Sequence, residues 1–249
     1  MSKIFTYWSV NGGVGKTTLS SVTSYNLAKK YPDKKVLLLD FNLVNPDTDY
    51  HLKCEPKDMK ALHKYFVTKT MTEEVLMDQI VQYPRLENFH ILSGLYDLTY
   101  FEKMVSEYFL IIIELAKKIG YDFIFIDIDS SINIDATFVA LTNAEKIFIV
   151  SDGMYHTVRN TNRYIEDVLP KINVTDKEIE LIVNKYDADI SDKDELKKIF
   201  GRNDIHFIEF NKTVSIYINR GIPFVEAKDK NSRKLVSQLD EWTNYIINI

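Results

Sequence analysis

The sequence predicts a doubly wound α/β fold, a mostly parallel sheet with helices on both faces, on three observations. Short apolar runs rich in β-branched residues recur along the 249 residues, helix-like stretches separate them, and a glycine-rich loop joins the first run to the first helix. Continuous apolar runs mark strands buried on both faces, the condition of a parallel sheet whose crossovers are helices. The runs are "KIFTYW" (3–8), "KVLLLD" (35–40), "FHILSG" (89–94), "DFIFID" (122–127), "KIFIVS" (146–151), "ELIVNK" (180–185) and "IHFIEF" (205–210). The clearest helix lies over 99–118. There Tyr100, Met104, Phe109, Ile112 and Leu115 recur at helical spacing, Lys117 and Lys118 close the last turn, and Gly120 stops it. Residues 53–85 are less regular and hold two helical pieces, "DMKALHKYF" and "TEEVLMDQIV". No repeat, low-complexity tract or linker interrupts the pattern, so one domain is expected over 1–249.

An apolar fraction of 45% supports a buried core and excludes the disordered class. A formal net charge of −5 argues against a protein that coats nucleic acid through its overall field. DNA contact would need a local patch, for which Arg159, Arg163 and the run "KKIFGR" (197–202) are the candidates. The same spacing is that of a solvated helix face. One cysteine, Cys54, excludes an intrachain disulfide, and the five histidines form no metal-ligand grouping with it beyond "HLKC". The longest apolar runs, such as "FLIII" (109–113), are too short to span a bilayer, and no basic and apolar leader opens the chain. A cytoplasmic protein without an integral membrane segment is expected. In the last helix-like stretch Leu235, Leu239, Trp242 and Ile246 share one face while only Arg233 and Lys234 are basic, which predicts docking on the core over lying on a membrane.

The stretch "SVNGGVGKTT" (9–18) carries the chemistry. Gly12, Gly13 and Gly15 permit torsions and close approach that a Cβ forbids, so successive N–H groups converge on phosphate oxygens. The loop opens a helix, whose N-terminus adds unpaired donors and partial positive charge. Lys16 is placed to bridge the β- and γ-phosphates and Thr17 to ligate Mg²⁺, with Asn11, Val14 and Thr18 completing the lining. Two apolar strands end on carboxylates, Asp40 in "VLLLD" and Asp127 in "FIFID". From such positions acids hold the water shell of a phosphate-bound Mg²⁺.

These motifs resemble the ParA/MinD superfamily, P-loop NTPases with a deviant Walker A loop, and the resemblance runs almost end to end. The loop matches K-G-G-x-x-K-[ST] from Gly12 onward. "VLLLDFN" is similar to the switch segment, "YDFIFIDIDSSI" to the Walker B strand, "LIVNKYD" to N-[RK]-x-D, and "FNKTVSIYINRGIPFVEA" to the late stretch ending in N-x-G-x-P. The resemblance implies ATP and Mg²⁺, a nucleotide-dependent homodimer, and a protein partner in partition or pilus machinery. It implies that Asn184 contacts the adenine and that Lys16, Asp40 and the residue at 42 serve the reaction.

The departures from the family pattern bear on turnover. The signature Lys, which reaches the phosphates across the dimer, is Asn11 here, shorter and uncharged. The second switch acid, which helps orient the attacking water, is Asn42, and an amide cannot act as a carboxylate base. The Walker B strand continues as "IDSS", with Asp129 as an extra acid. Binding with slow hydrolysis is expected, and a non-hydrolysing nucleotide-binding scaffold is the alternative. "ENFHILSGLYDLTYFEKM" looks most like pilus-localisation ATPases of the TadZ/CpaE kind, although the chain begins at the first ATPase strand where that kind usually carries a receiver-like domain. A bacterial tyrosine kinase is the remote alternative, since the tail has only Tyr245 in place of a tyrosine cluster.

Overall fold

The structure, a computed structural model, describes residues 2–249. Strand β1 (Lys3–Trp8) runs through the glycine loop into helix α1 (Lys16–Lys30), and β2 (Val36–Phe41) follows. Three short helices come next, α2 (Thr48–Leu52), α3 (Lys60–Val67) and α4 (Glu73–Gln79), then β3 (Val81–Gln82) and β4 (Phe89–Leu92). Alternation then becomes regular through α5 (Ser106–Ile119), β5 (Phe123–Ile128), α6 (Asp135–Asn143), β6 (Lys146–Asp152), α7 (Tyr155–Asp167) and β7 (Ile179–Tyr186). The chain closes with α8 (Lys193–Phe200), β8 (Ile205–Glu209), α9 (Val214–Asn219) and α10 (Arg233–Asn248).

The strands form one sheet in the order β3-β4-β2-β5-β1-β6-β7-β8, parallel throughout except for β3, which pairs antiparallel with β4. This is the doubly wound arrangement the apolar runs predict. Side chains alternate between two core layers. Ile4 and Trp8 of β1 face the layer under α5, α6 and α7, whereas Phe5 and Tyr7 face the layer under α1 and α10. The parity places Asp40 and Asp127, at the carboxyl ends of neighbouring strands, on the α1 side. Open α/β sheets bind ligands at those carboxyl ends.

Two local features differ from expectation. The helix expected over 99–118 is split: a 3₁₀ turn covers Leu98–Lys103, Met104 and Val105 are extended, and the α-helix starts at Ser106. The cause lies elsewhere in the chain. The Asp135 carboxylate accepts the Ser106 N–H at 2.8 Å, which supplies a helix start that Val105 cannot cap with its own side chain. Strand β3 is two residues long and carries no periodicity.

Helix α10 docks as its pattern predicts, with Leu235, Leu239, Trp242 and Ile246 all buried. Trp242 Nε1 donates to the Tyr7 hydroxyl at 3.0 Å, and Asn26 of α1 donates to Asp240 Oδ1 at 2.8 Å and Thr243 Oγ1 at 3.0 Å. Among the described residues no helix is long and apolar enough to cross a membrane.

Candidate functional site

The loop between β1 and α1 depends on two left-handed glycines, Gly13 (φ 76°) and Gly15 (φ 98°), which turn the chain sharply into the helix. A Cβ on Gly15 would lie 2.4 Å from Asn184 Nδ2, so this close approach requires glycine. Helix α1 has no side-chain cap and no acid in its first turn, which leaves its N–H groups free for an anion. The loop is braced from β7. Asn184 Nδ2 donates to the Val14 carbonyl at 2.8 Å, and Lys185 Nζ donates to the Gly13 carbonyl at 2.6 Å. The N-[RK]-x-D resemblance points to Asn184 for the adenine side and assigns no role to Lys185. The available signal was the Lys in "NKYD", which also adopts a left-handed φ of 55°.

Above the loop opens a cavity of about 900 Å³, within the usual range for small-molecule sites. Gly12, Gly13, Gly15, Lys16, Thr17 and Thr18 line one wall, Asn42 and Asp129 a second, and Asn184 and Lys185 a third. The lining also includes apolar side chains, Ile208, Phe210 and Phe224 among them. A lining that combines glycines and charged groups with apolar side chains suits a ligand with a polyphosphate and a flat base.

Thr17 Oγ1 donates to Asp127 Oδ2 at 2.6 Å. The other oxygen of Asp127, Oδ1, is buried and has no hydrogen-bond partner. Burial raises the Asp127 carboxyl from its ordinary range to about 6, partly offset by Lys16 and by the Thr17 hydroxyl. Asp40 lies beside it in register, is fully buried, and is also raised well above the carboxylate range, first by burial and then by the Asp127 charge. An orphaned carboxylate oxygen next to a threonine hydroxyl, with a second acid alongside, is a hard oxygen-donor set that fits a hydrated Mg²⁺. The fit is strongest at Asp127. Asp40 directs its acceptors elsewhere: Oδ2 takes the Thr48 N–H at 3.1 Å and hydroxyl at 2.8 Å, and Oδ1 takes the Asn42 N–H at 3.1 Å.

The switch segment after β2 is therefore held from below by Asp40. Asn42 adds a turn of its own, its Oδ1 accepting the Asn45 N–H at 3.0 Å. Asp129, one strand over, accepts the Leu43 N–H at 2.9 Å. Asn11 Oδ1 is buried without a partner. Outside this cluster, burial pushes the "HLKC" residues away from reactivity, His51 down to about 4 and Cys54 up to about 12. Among the described residues no three His, Cys, Asp or Glu side chains are grouped to hold a metal by themselves.

A family model described as "AAA domain" (AAA_31) matches residues 2–186, the part that contains the loop, both strand-end acids and the bracing strand. The chain belongs to this family. A protein named as an uncharacterized ATP-binding protein of Methanocaldococcus jannaschii is 27% identical over 255 residues, covering 96% of this chain and 86% of the relative. The septum site-determining protein MinD of Thermotoga maritima is 25% identical over 230 residues, 90% and 81% of the two chains. A ParA family ATPase from Chlorobium tepidum TLS superposes with a TM-score of 0.84 at 18% identity, over 98% of this chain and 99% of that one. The AAA-domain chain thus shares the fold of the ParA and MinD proteins to which it is similar. These similarities do not distinguish the pilus-localisation branch.

Proposed function

We propose that this protein binds Mg²⁺-ATP in the cavity above the glycine loop, hydrolyses it slowly, and uses nucleotide-linked pairing of two copies to position a protein machine in the cytoplasm. The observation that carries this reading is the Thr17–Asp127 contact with its orphaned Oδ1 at a free helix N-terminus, where Lys16 and Thr17 line the cavity and Asp127 lies buried behind Thr17. Lys16 would neutralise the β- and γ-phosphates, the loop N–H groups would cradle them, and Thr17 and Asp127 would hold the metal. Bound Mg²⁺ would screen the phosphate charge. Asn184 and Lys185 fix the loop, and Asn184 also borders the base side of the cavity. Asp40 shapes the switch segment next to the metal site. The machine is of partition or of pilus and secretion type, and one domain over 1–249 performs the cycle. DNA is a weaker partner, given the net charge of −5.

A scaffold that binds nucleotide without useful turnover is the second reading. It is favoured by Asn42, whose only acceptor oxygen is engaged by Asn45. Pairing is tested by analytical sedimentation with and without a nonhydrolysable ATP analogue. A modest shift toward dimer is expected for the native chain. Asn11→Lys should tighten the nucleotide-bound dimer about tenfold or more, because a charged side chain then reaches the opposite phosphates. A dimer indifferent to nucleotide in both forms would point to another interface.

A further inference from the structure

The geometry points to Asp129 as the carboxylate that orients the attacking water, in place of the amide at position 42. This inference rests on the reading that the cavity hydrolyses ATP. Strands β2 and β5 run parallel with Asp40 beside Asp127 and Phe41 beside Ile128. One step further, Asn42 and Asp129 leave the sheet side by side. Neighbouring strands are about 4.8 Å apart, so an acid moved from the end of β2 to the end of β5 still addresses the same space. Both residues line the cavity together with Lys16 and Thr17.

The two side chains differ in what they have left to offer. Asn42 has one neutral acceptor oxygen, and the Asn45 N–H at 3.0 Å takes one of its two lone pairs. Its remaining N–H₂ only donates. Asp129 takes the Leu43 N–H on Oδ2 at 2.9 Å, the Val44 N–H also points at its carboxylate, and Thr137 Oγ1 donates to its backbone carbonyl at 3.4 Å. These contacts fix it at the cavity wall while a carboxylate with about four lone-pair sites keeps capacity for a water. Because the anchoring N–H belongs to the switch segment, the acceptor is also tied to the loop that borders the phosphates.

In the step itself the water oxygen forms a bond to the γ-phosphorus. The bond from that phosphorus to the bridging oxygen breaks, its electron pair leaving on ADP. One water proton points at Asp129 during attack and ends on the inorganic phosphate or in solvent, so ATP and water give ADP, phosphate and a proton. Asp129 orients and stabilises, as positioned acceptors do in phosphoryl transfer.

The test compares native protein, Asp129→Asn, Asn42→Asp and the double variant, with Lys16→Ala as the blank. Three quantities are read: phosphate release at saturating Mg²⁺-ATP, affinity for a nonhydrolysable ATP analogue, and affinity for Mg²⁺-ADP with aluminium fluoride, a mimic of the transferring phosphoryl group. The amide oxygen introduced by Asp129→Asn would still accept the Leu43 N–H, so the fold and the switch loop are kept. Asp129→Asn should cut phosphate release about 10²-fold or more, weaken the aluminium fluoride complex, and leave analogue affinity within about threefold. Adding Asn42→Asp should restore a large part of both losses. If native protein releases no more phosphate than the blank, the aluminium fluoride complex decides: tighter in native than in Asp129→Asn supports the assignment, equal affinity overturns it. Native-like release by Asp129→Asn also overturns it. So does an equal loss of rate and analogue affinity, which would make Asp129 a latch for the loop only. Failure of the native chain to bind the analogue removes the ATP reading itself, and the assignment with it.

Discussion

Asp127→Asn is expected to stabilise the metal-free protein near neutral pH while abolishing the benefit of Mg²⁺ to ATP binding. The folded state raises this carboxyl from 3.8 to about 6, so folded protein holds the proton more tightly than unfolded chain. The resulting stability is complete below about pH 4 and is lost as pH rises through about 6. Above that pH Asp127 carries its charge in a fully buried site beside Asp40, whose own carboxyl is raised by burial and by that charge. The cost is about 3 kcal/mol, which corresponds to a midpoint shift of about 6 to 12 °C for a chain of this size. Melting curves in EDTA should show the native midpoint falling relative to that of the variant between about pH 4.5 and 7.5, the opposite contributions of His51 and His90, both lowered to about 4 by burial, being common to the two proteins. With nucleotide, Mg²⁺ should raise the native midpoint and add nothing to the variant. A variant less stable than native at the upper end of that interval would mean that the buried pair is relieved by something other than a metal.

Trp242→Ala should cost about 3 to 5 kcal/mol in denaturant unfolding, the usual range for emptying a buried aromatic site. Trp242 is 4% exposed, packs edge-on against Phe148 with ring centroids 4.9 Å apart, and hydrogen-bonds the Tyr7 hydroxyl, which in turn donates to Thr23 Oγ1 at 2.9 Å. Tyr7 and Thr23 lie on β1 and α1, the elements that carry the glycine loop between them. Loosening α10 should therefore weaken ATP affinity as well as stability. Trp242→Phe separates the contributions, since it keeps an aromatic ring and loses a hydrogen bond worth about 1 kcal/mol. A loss below about 1 kcal/mol for Trp242→Ala would show that α10 is peripheral to the core, contrary to its burial.

The parts of this molecule that were legible in its sequence are those whose cause is local. Strands buried on both faces must be apolar without alternation, so β1, β2 and β5 to β8 could be read to within a residue or two. Lys16, Thr17 and the glycines lie within a few residues of one another, and the strand-end acids follow from where the apolar runs stop. What could not be read depends on residues distant in sequence. The break at Met104 and Val105 interrupts an unbroken apolar period, because Asp135 starts the helix at Ser106. Strand β3 forms by pairing with β4 and has too few residues to show a pattern. The hold of Lys185 on Gly13 spans 172 positions and requires β7 to lie beneath the loop. The adjacency of Asn42 and Asp129 follows from β2 lying beside β5. Asp129 appears in the sequence as an extra acid, and only the strand order shows which missing acid it stands beside.

The most direct test of the nucleotide site is calorimetric titration of the native chain and Lys16→Ala with ATP, in Mg²⁺ and in EDTA. One saturable site per chain is expected for native protein in Mg²⁺, with weaker binding in EDTA and no measurable heat of binding for Lys16→Ala. Equal binding by native and Lys16→Ala, or none by native at millimolar ATP with Mg²⁺, would contradict the assignment of the glycine loop as a nucleotide site.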